Sequence, residues 1–274
     1  MNKSAASTIM KHVFLVFIFI TMLGPFIWML SVAFKEFGDV FTYPPAIIPP
    51  SVRWQNFPDV FAAFPFARFI FNSGIVTILR VIGTIITSTM AGYAFARLEF
   101  PGRDSIFLLY LATLMVPFQV VMIPLFIIMR HLGWVDSYQA LIVPGIFQAF
   151  GTFLCRQFFL TIPKSLEESA FIDGASFWTI FVRIIMPLVK PAVATLSVLT
   201  FLWSWNDFLW PLIVIDSLKL NTLTLGIASF QGQYYTQWNL LMAGVTISII
   251  PTVVVYLLAQ KWFVEGIAMS GVKY

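Results

Sequence analysis

Long apolar runs are the feature that most constrains how this chain can fold. A helix needs about 20 apolar residues to cross the hydrocarbon core of a bilayer. Six segments meet this requirement, at residues 12–34, 69–96, 105–129, 138–160, 189–215 and 238–263. The 274 residues are 59% hydrophobic and only 10% charged, which is more apolar surface than a soluble domain of this size can bury. We therefore predict an all-α integral membrane protein with six transmembrane helices.

The basic residues predict the orientation of these spans. With six spans both termini lie on one side, and ten of the sixteen Lys and Arg residues then fall in segments on that side, against five on the other. Cytoplasmic segments carry the excess of Lys and Arg, so we expect both termini in the cytoplasm. The first apolar run is longer than the 7–15 residues of a signal-peptide core, which favours a retained span.

The chain divides into two predicted parts. Residues 1–65 hold the first transmembrane helix and an outer Pro-rich segment, in which prolines interrupt the helix and leave a loop with one short interfacial helix. Residues 66–274 form the predicted core, with a cytoplasmic loop at 161–187 and a C-terminal cytoplasmic tail. One cysteine, Cys155, excludes an internal disulfide. No metal-ligand spacing and no nucleophile–base pattern stands out, so we predict neither a metal site nor catalysis.

The cytoplasmic loop contains the stretch "PKSLEESAFIDGASFWTIFVRIIMP". Ser165 followed by Glu168 is a capping-box pattern and predicts a helix starting near Leu166. Gly174 supplies a left-handed residue to end that helix. A second short helix is expected after Ser176, and Pro187 is expected to close it before the fifth span.

A helix this short is marginal alone in water, so something must hold it. It could lie on the inner leaflet, form an ordinary loop, or fit a groove on a partner protein. Anionic lipid attracts a basic face, but Glu167, Glu168 and Asp173 outnumber Lys164 here. The charge pattern therefore disfavours the lipid surface.

The same loop resembles a known signature. The residues of the pattern are Glu168, Ser169, Ala170, Gly174, Ile184, Met186 and Pro187. Their spacing is similar to the EAA motif of permease subunits of binding-protein-dependent ABC importers, with Ser169 where that family usually has Ala and Met186 where it usually has Leu. The stretches "NSGIVTILRVIGTIITSTMAGYAFARLEFPG", "WSWNDFLWPLIV" and "FVEGIAMSGVKY" resemble the MalG-like permeases of its carbohydrate-uptake branch, whose tail usually ends in Gly rather than Tyr274.

The resemblance implies a type I ABC importer permease fold in the bacterial cytoplasmic (inner) membrane. It implies import of di- or oligosaccharides together with a second homologous permease subunit, two ATPase subunits and an extracytoplasmic substrate-binding protein. The residues it assigns to ATPase coupling are Glu167, Glu168, Ser169, Ala170, Asp173, Gly174, Ile184 and Pro187. The sequence has no G-x-x-x-x-G-K-[ST] phosphate loop. We therefore expect a non-catalytic subunit without a cofactor of its own, with ATP and Mg bound by the partner ATPase.

Polar and aromatic residues in the fifth span are candidates for the substrate pathway. Trp203, Asn206, Asp207 and Trp210 are spaced to share one face of a continuous helix, and aromatic rings beside an amide and a carboxylate suit a sugar. An interfacial aromatic belt is the alternative for the tryptophans. A carboxylate facing hydrocarbon is costly, which makes Asp207 the stronger candidate.

Three further polar residues of the spans could line the same pathway or serve another role. Arg80 lies deep in span two. A charge at this depth has three alternative roles: it contacts substrate, it pairs with a neighbouring helix or the partner permease, or it snorkels to the interface. Gln119 lies between Pro117 and Pro124, which are expected to kink span three. Gln119 then faces the opened cavity or satisfies freed carbonyl groups, and Gln148 in span four is equally ambiguous.

Two other functions stay open from the sequence. One is an ABC permease for an acidic oligosaccharide or a glycerol-phosphate-type ester. The other is an ion-coupled secondary transporter or channel, for which Asp207 is the only candidate relay carboxylate in a span.

Overall fold

The computed structural model describes residues 3–232 and 235–271, and within that part the fold is helical with no β-strand. Its α-helices are α1 Lys3–Ala33, α2 Asn56–Ala63, α3 Phe66–Arg97, α4 Arg103–Ala112, α5 Phe118–His131, α6 Tyr138–Ile142, α7 Ala149–Thr161, α8 Ser165–Ile172, α9 Phe177–Thr179, α10 Met186–Leu188, α11 Lys190–Trp205, α12 Leu209–Val214, α13 Leu223–Ala228 and α14 Trp238–Gly271. A π-helix, Ile180–Ile185, joins α9 to α10.

The described residues contain up to six spans that are long and apolar enough to cross a membrane. Three are single helices, in α1, in α3 and in α14. A fourth, Tyr138–Thr161, joins α6 to α7 through a 3-10 turn and the extended residues Phe147 and Gln148. Two more are bent pairs: Arg103–Met115 with Phe118–His131 at 103°, and Phe177–Leu188 with Lys190–Trp205 at 77°. The upper count of six agrees with the predicted number of spans, whereas spans three, four and five are not the single helices that were predicted.

Span three was predicted as one kinked helix over 105–129, and the structure breaks it. Val116 and Pro117 are extended, with ψ values of 116° and 138°, so the helix stops and restarts at Phe118. The physical reason is that Pro117 lacks an amide hydrogen and disfavours a helical conformation in the residue before it. Pro124, in contrast, is accommodated inside α5.

Span five was predicted as one helix over 189–215 and is also interrupted. α11 ends at Trp205, and α12 starts only at Leu209, after Asn206 and Asp207. Asp207 accepts a hydrogen bond at 3.4 Å from the Trp210 amide, and Thr224 donates to the Asp207 carbonyl at 2.6 Å. Polar groups at this break thus receive partners from outside the helix ladder, as they must in an apolar environment.

The loop predicted at 161–187 follows the expected helix–glycine–helix pattern with two differences. α8 begins at Ser165, one residue before the expected start, and no side-chain hydrogen bond caps it, so the predicted capping box is absent. Pro187 does not close the second helix, because it sits in the first turn of α10, where a missing amide hydrogen costs nothing. The helical path ends instead at Val189. Ser176 caps α9 as expected, accepting from the Thr179 amide at 3.3 Å.

The chain divides into two compact units. The first comprises Met1–Ala67 and Gly226–Ile250. In it the Asn56 amide donates to the carbonyls of Ala33 and Lys35 at 2.8 and 2.7 Å, and accepts from Asn239 at 3.1 Å. Asn56 therefore satisfies carbonyl groups that the end of α1 leaves without a partner.

The second unit comprises Arg68–Leu225 and Pro251–Tyr274. Its larger core joins α3 to α7 and to the π-helix through Tyr93, Phe159 and Phe181. Asn72 in α3 donates to the carbonyls of Lys219 and Asn221 at 3.0 and 2.8 Å. These bonds hold the segment after α12 against α3, beside the break at Asp207.

Candidate functional site

The loop between α7 and α10 turns at Gly174 in a Schellman motif. Gly174 has φ +80°, its amide donates to the Phe171 carbonyl at 3.0 Å, and the Ala175 amide donates to the Ala170 carbonyl at 2.9 Å. This pair of bonds defines the motif and requires a left-handed residue, which glycine adopts without steric cost. The rings of Phe171 and Phe177 pack edge to face at 4.7 Å across the turn. We call α8, the Gly174 turn and α9 the coupling corner.

The residues assigned to coupling lie on both faces of this corner. Glu167 and Ala170 are buried, and Ile184 packs against the same core. The exposed residues of the set are Glu168, Ser169, Asp173, Gly174 and Pro187. One face of α8 is therefore anchored in the protein while the other presents two carboxylates outward.

Arg97 anchors the buried face. Its Nε lies 3.0 Å from Glu167 Oε1, with side chains only 4% and 11% exposed. Its Nη2 donates to the Ile162 carbonyl at the end of α7. Burial raises the pKa of the Glu167 carboxyl above its ordinary value, and the Arg97 guanidinium opposes that increase. Because Arg97 is the last residue of α3, one side chain links this helix directly to the coupling corner.

A second buried arginine of α3 pairs with the broken fifth span. Arg80 Nη1 donates to Asp207 Oδ2 at 2.8 Å, and Arg80 Nε donates to the Leu141 carbonyl at 2.7 Å. A Cβ on Gly145 would stand 2.7 Å from Arg80 Nε, so only glycine allows this approach. The guanidinium is thereby held in one place. Of the roles considered for Arg80 from the sequence, the structure agrees with pairing to a neighbouring segment of the same chain.

This ion pair borders a cavity of about 220 Å³, which we call the polar cavity. Its lining residues are Arg80, Phe118, Gln148, Thr200, Trp203, Ser204 and Asp207. Three buried atoms there have no hydrogen-bond partner within the described residues: Gln148 Oε1, Thr200 Oγ1 and Ser204 Oγ. Unsatisfied polar atoms at depth are costly, and their clustering around one cavity points to a polar occupant.

The structure separates the four residues expected to share one face of span five. Trp203 and Asp207 line the polar cavity, while Asn206 is exposed and donates to the Leu202 carbonyl at 2.8 Å. Trp210 is 2% exposed, and its ring nitrogen donates to the Ala140 carbonyl at 2.9 Å. The single-face prediction is wrong because the helix breaks after Trp205, so the i, i+7 register does not carry through. Gln119 is exposed and does not line the cavity.

The comparison with protein families decides what kind of protein carries these features. Residues 83–269 match the model of the binding-protein-dependent transport system inner membrane component family. The chain belongs to this family of transport permeases. It is a multi-pass membrane protein, and the coupling corner lies within the matched region.

Related permeases cover nearly all of the chain. The permease is 36% identical over 270 residues to the sn-glycerol-3-phosphate transport system permease protein of Pectobacterium atrosepticum, covering 96% of each chain. It is 38% identical to the arabinooligosaccharides transport system permease protein of Halalkalibacterium halodurans, over 82% of this chain and 81% of that one. A probable ABC transporter permease of Bacillus subtilis is 37% identical, over 95% and 87%.

A solved structure shares the permease fold. A chain of a bacterial ABC transporter involved in the import of the acidic polysaccharide alginate superposes with a TM-score of 0.86, covering 96% of the permease and 99% of that chain. At 24% sequence identity this likeness establishes the fold. It agrees with the predicted ABC importer permease architecture.

The structure also identifies residues of the permease that the sequence did not single out. Thr200 and Ser204 line the cavity together with Trp203 and Asp207. Thr200 and Ser204 are four residues apart, and Trp203 is three residues after Thr200, so this spacing could have predicted a shared helix face. Arg97 had no such signal, because a basic residue at a helix end is common. Its partner, Glu167, is distant in sequence and adjacent only in the folded chain.

Proposed function

We propose that this permease is the non-catalytic membrane subunit of an ATP-driven importer of di- or oligosaccharides. It pairs with a second homologous permease to form the translocation path, and two ATPase subunits and an extracytoplasmic binding protein complete the complex. ATP and Mg bind to the ATPase subunits. The proposal places both termini and the coupling corner in the cytoplasm of a bacterial cell, consistent with the distribution of Lys and Arg.

The observation that carries the proposal is the coupling corner. Its exposed face combines the acidic residues Glu168 and Asp173 with the apolar Ile172, which is 87% exposed. Phe177 and Trp178 of the same corner are also exposed, at 60% and 62%. Several exposed apolar residues together with charged neighbours are typical of a protein interface. The sequence contains no phosphate loop, so energy from ATP has to arrive from another polypeptide through a cytoplasmic contact of this kind.

Motion at the corner has a direct mechanical route to the polar cavity. Helix α3 holds Arg97 at the corner and Arg80 at the cavity, 17 residues apart, or about 25 Å at 1.5 Å per residue. No proline interrupts α3. A displacement of the corner therefore moves the cavity wall through a single rigid element.

The polar cavity supports a carbohydrate as cargo. Trp203 and Phe118 provide aromatic faces for the C–H surface of a sugar ring, and Gln148, Thr200 and Ser204 provide hydrogen-bonding atoms. The related glycerol-3-phosphate permease supports a second candidate, an anionic ester or acidic oligosaccharide. An ion-coupled transporter is disfavoured because Asp207, its relay candidate, is neutralised by Arg80.

Reconstitution with partner subunits tests the proposal. The permease would be co-purified with a candidate second permease and ATPase, placed in lipid, and assayed for ATP hydrolysis with and without sugar-loaded binding protein. We expect stimulation by the loaded binding protein and ATP-dependent sugar uptake. Full transport by the purified chain with no ATPase, or location of Glu168 on the outer face, would contradict the proposal.

A further inference from the structure

The polar cavity has no net charge, although it contains an arginine. Arg80 and Asp207 are the two charged residues of its lining, and they form an ion pair at 2.8 Å. Their side chains are 10% and 21% exposed, so solvent screens this pair only weakly. The +1 charge of the guanidinium is therefore matched at close range by the −1 charge of the carboxylate.

Groups of the same chain also hold the Arg80 guanidinium in place. Nε donates to the Leu141 carbonyl, Nη1 donates to Asp207, and Gly145 packs against the side chain so closely that no Cβ would fit. An anionic substrate gains affinity from arginine through paired, well-aligned bonds. Two of the Arg80 N–H groups are already used within the chain, and the Asp207 carboxylate offsets the positive charge that an anion would meet at the others.

The buried atoms of the cavity that lack a partner within the described residues belong to uncharged side chains. Gln148 donates through Nε2 to the Gly145 carbonyl at 3.0 Å, which leaves the acceptor Oε1 without a partner. The hydroxyls of Thr200 and Ser204, 1% and 9% exposed, both donate and accept. A sugar hydroxyl can donate to Gln148 Oε1 and accept from the Thr200 and Ser204 hydroxyls, so these atoms recognise the hydroxyl groups of a substrate, while the neutralised Arg80 adds little attraction for an anionic group.

We infer that the polar cavity is a subsite for one ring of an uncharged, polyhydroxylated substrate, and that Asp207 sets this preference by neutralising Arg80. The volume of about 220 Å³ is below the roughly 300–1,000 Å³ of a drug-sized ligand site, so it suits a single ring of a longer chain. The inference rests on the proposed transport function and specifies its substrate class.

Equilibrium binding to the complete permease–ATPase complex in lipid nanodiscs tests the inference. The binding protein is left out, so that its own selectivity does not enter. The probes are two radiolabelled trisaccharides of matched length, maltotriose as the neutral one and trigalacturonate as the acidic one, with sn-glycerol 3-phosphate as a third. We expect the wild-type complex to bind the neutral trisaccharide at least about tenfold more tightly than either anion.

A charge variant tests the role of Asp207. In Asp207→Asn the positive charge of Arg80 is uncompensated, and we expect the ratio of acidic to neutral affinity to rise by roughly tenfold or more. The double variant Arg80→Gln/Asp207→Asn restores neutrality without an ion pair. The ratio of acidic to neutral affinity in this double variant is expected to return to the wild-type value. A purely structural role of the ion pair does not predict that return.

A second variant keeps the test decisive if the charge variants fail to assemble. Thr200→Val preserves shape and removes one uncommitted hydroxyl, and we expect a loss of about five- to tenfold in neutral affinity. The matched control is Thr195→Val on the same helix, whose hydroxyl already donates to the Pro191 carbonyl at 3.0 Å and does not line the cavity. It should leave binding unchanged.

Three results would overturn the inference. These are equal wild-type affinity for neutral and acidic probes, unchanged neutral affinity in Thr200→Val, and no binding of either class. Each is distinguishable from failure of the proposed function, which is read separately as loss of ATP-dependent uptake by the wild-type complex with its binding protein.

Discussion

Two arginines on one helix, Arg80 and Arg97, make similar ion pairs in different surroundings. Arg97 binds Glu167 at 3.0 Å next to an apolar core in which Ala170 and Phe159 are packed. Arg80 binds Asp207 at 2.8 Å beside a cavity with three unsatisfied polar atoms. The first pair fastens one element to another, whereas the second leaves room for a ligand.

The comparison teaches that an ion pair alone does not reveal its role. A buried pair costs desolvation energy that its Coulomb attraction only partly offsets, and this applies to both arginines. What distinguishes them is the chemistry of the neighbouring space. The cavity beside the corner is lined mainly by apolar and aromatic side chains such as Leu98 and Phe181, whereas the cavity beside Arg80 is lined mainly by polar ones. Removing a partner should damage the fold at Arg97, while changes at the cavity should affect binding more than stability.

The largest expected effect is loss of coupling in Gly174→Pro and Glu168→Lys. Proline fixes φ near −65° and cannot adopt the +80° of Gly174, and lysine reverses an exposed charge of the coupling corner. We expect ATP-dependent uptake to fall by roughly tenfold or more, with normal membrane insertion. Gly174→Asn is the control, because asparagine tolerates the left-handed conformation. Wild-type uptake in the first two variants would remove the corner from the mechanism.

Arg97→Met tests whether the first pair is a structural fastening. It leaves the Glu167 carboxylate buried and the Ile162 carbonyl without its donor. We expect the free energy of unfolding to fall by about 3–5 kcal/mol, measured by denaturation in detergent. Breaking the exposed pair Arg53–Asp59, with side chains 43% and 31% exposed, by Arg53→Met should cost about 1 kcal/mol or less. Equal losses in the two variants would contradict the distinction.

The pH dependence of that loss sharpens the comparison. The pKa of Glu167 is raised in the folded protein, so the folded state retains its proton to higher pH, and this group's contribution to stability falls as pH rises through the folded pKa. Removing Arg97 removes the opposing influence and raises this pKa further. The difference in unfolding free energy between Arg97→Met and the wild type should therefore become smaller as the pH is lowered from 7 to 5, because the buried carboxyl is then protonated in the variant. Measured against Glu167→Gln, the double variant Arg97→Met/Glu167→Gln should show a stability gap that does not depend on pH, because neither protein carries this carboxyl.

The smallest expected effect has the opposite sign. Thr200→Val removes a buried hydroxyl that has no partner within the described residues. Removing an unsatisfied polar atom should stabilise the protein by about 1 kcal/mol, seen as a higher unfolding temperature without substrate. A destabilisation of similar size would mean that the hydroxyl is satisfied in the membrane and would weaken the case for a ligand site.

Much of the fold was predictable because its signals are local. Span number and the left-handed Gly174 follow from apolar run length and glycine stereochemistry. The breaks at Pro117 and after Trp205 were harder to predict. Proline marks a kink without fixing its angle, and a polar break within a span depends on partners such as Thr224 that are distant in sequence.

The candidate site was predictable only in part, for the same reason. Arg80, Asp207 and Trp203 were singled out because polar and aromatic residues are conspicuous in an apolar span. Other features depend on how four separate segments meet in the folded chain. These are the pairing of Arg80 with Asp207, the burial of Trp210, and the position of Gln148 and Thr200 at the same cavity.

The amino-acid sequence is sufficient to predict a helical membrane protein with a short acidic corner between two apolar spans, because hydrophobic length and local backbone preferences act over a few helical turns. The different roles of the two arginines of α3, one fastening the corner and the other neutralised beside a cavity, emerge only in the folded protein. Burial and charge pairing depend on neighbours in space, and residues 127 positions apart in sequence become neighbours only after the chain has folded.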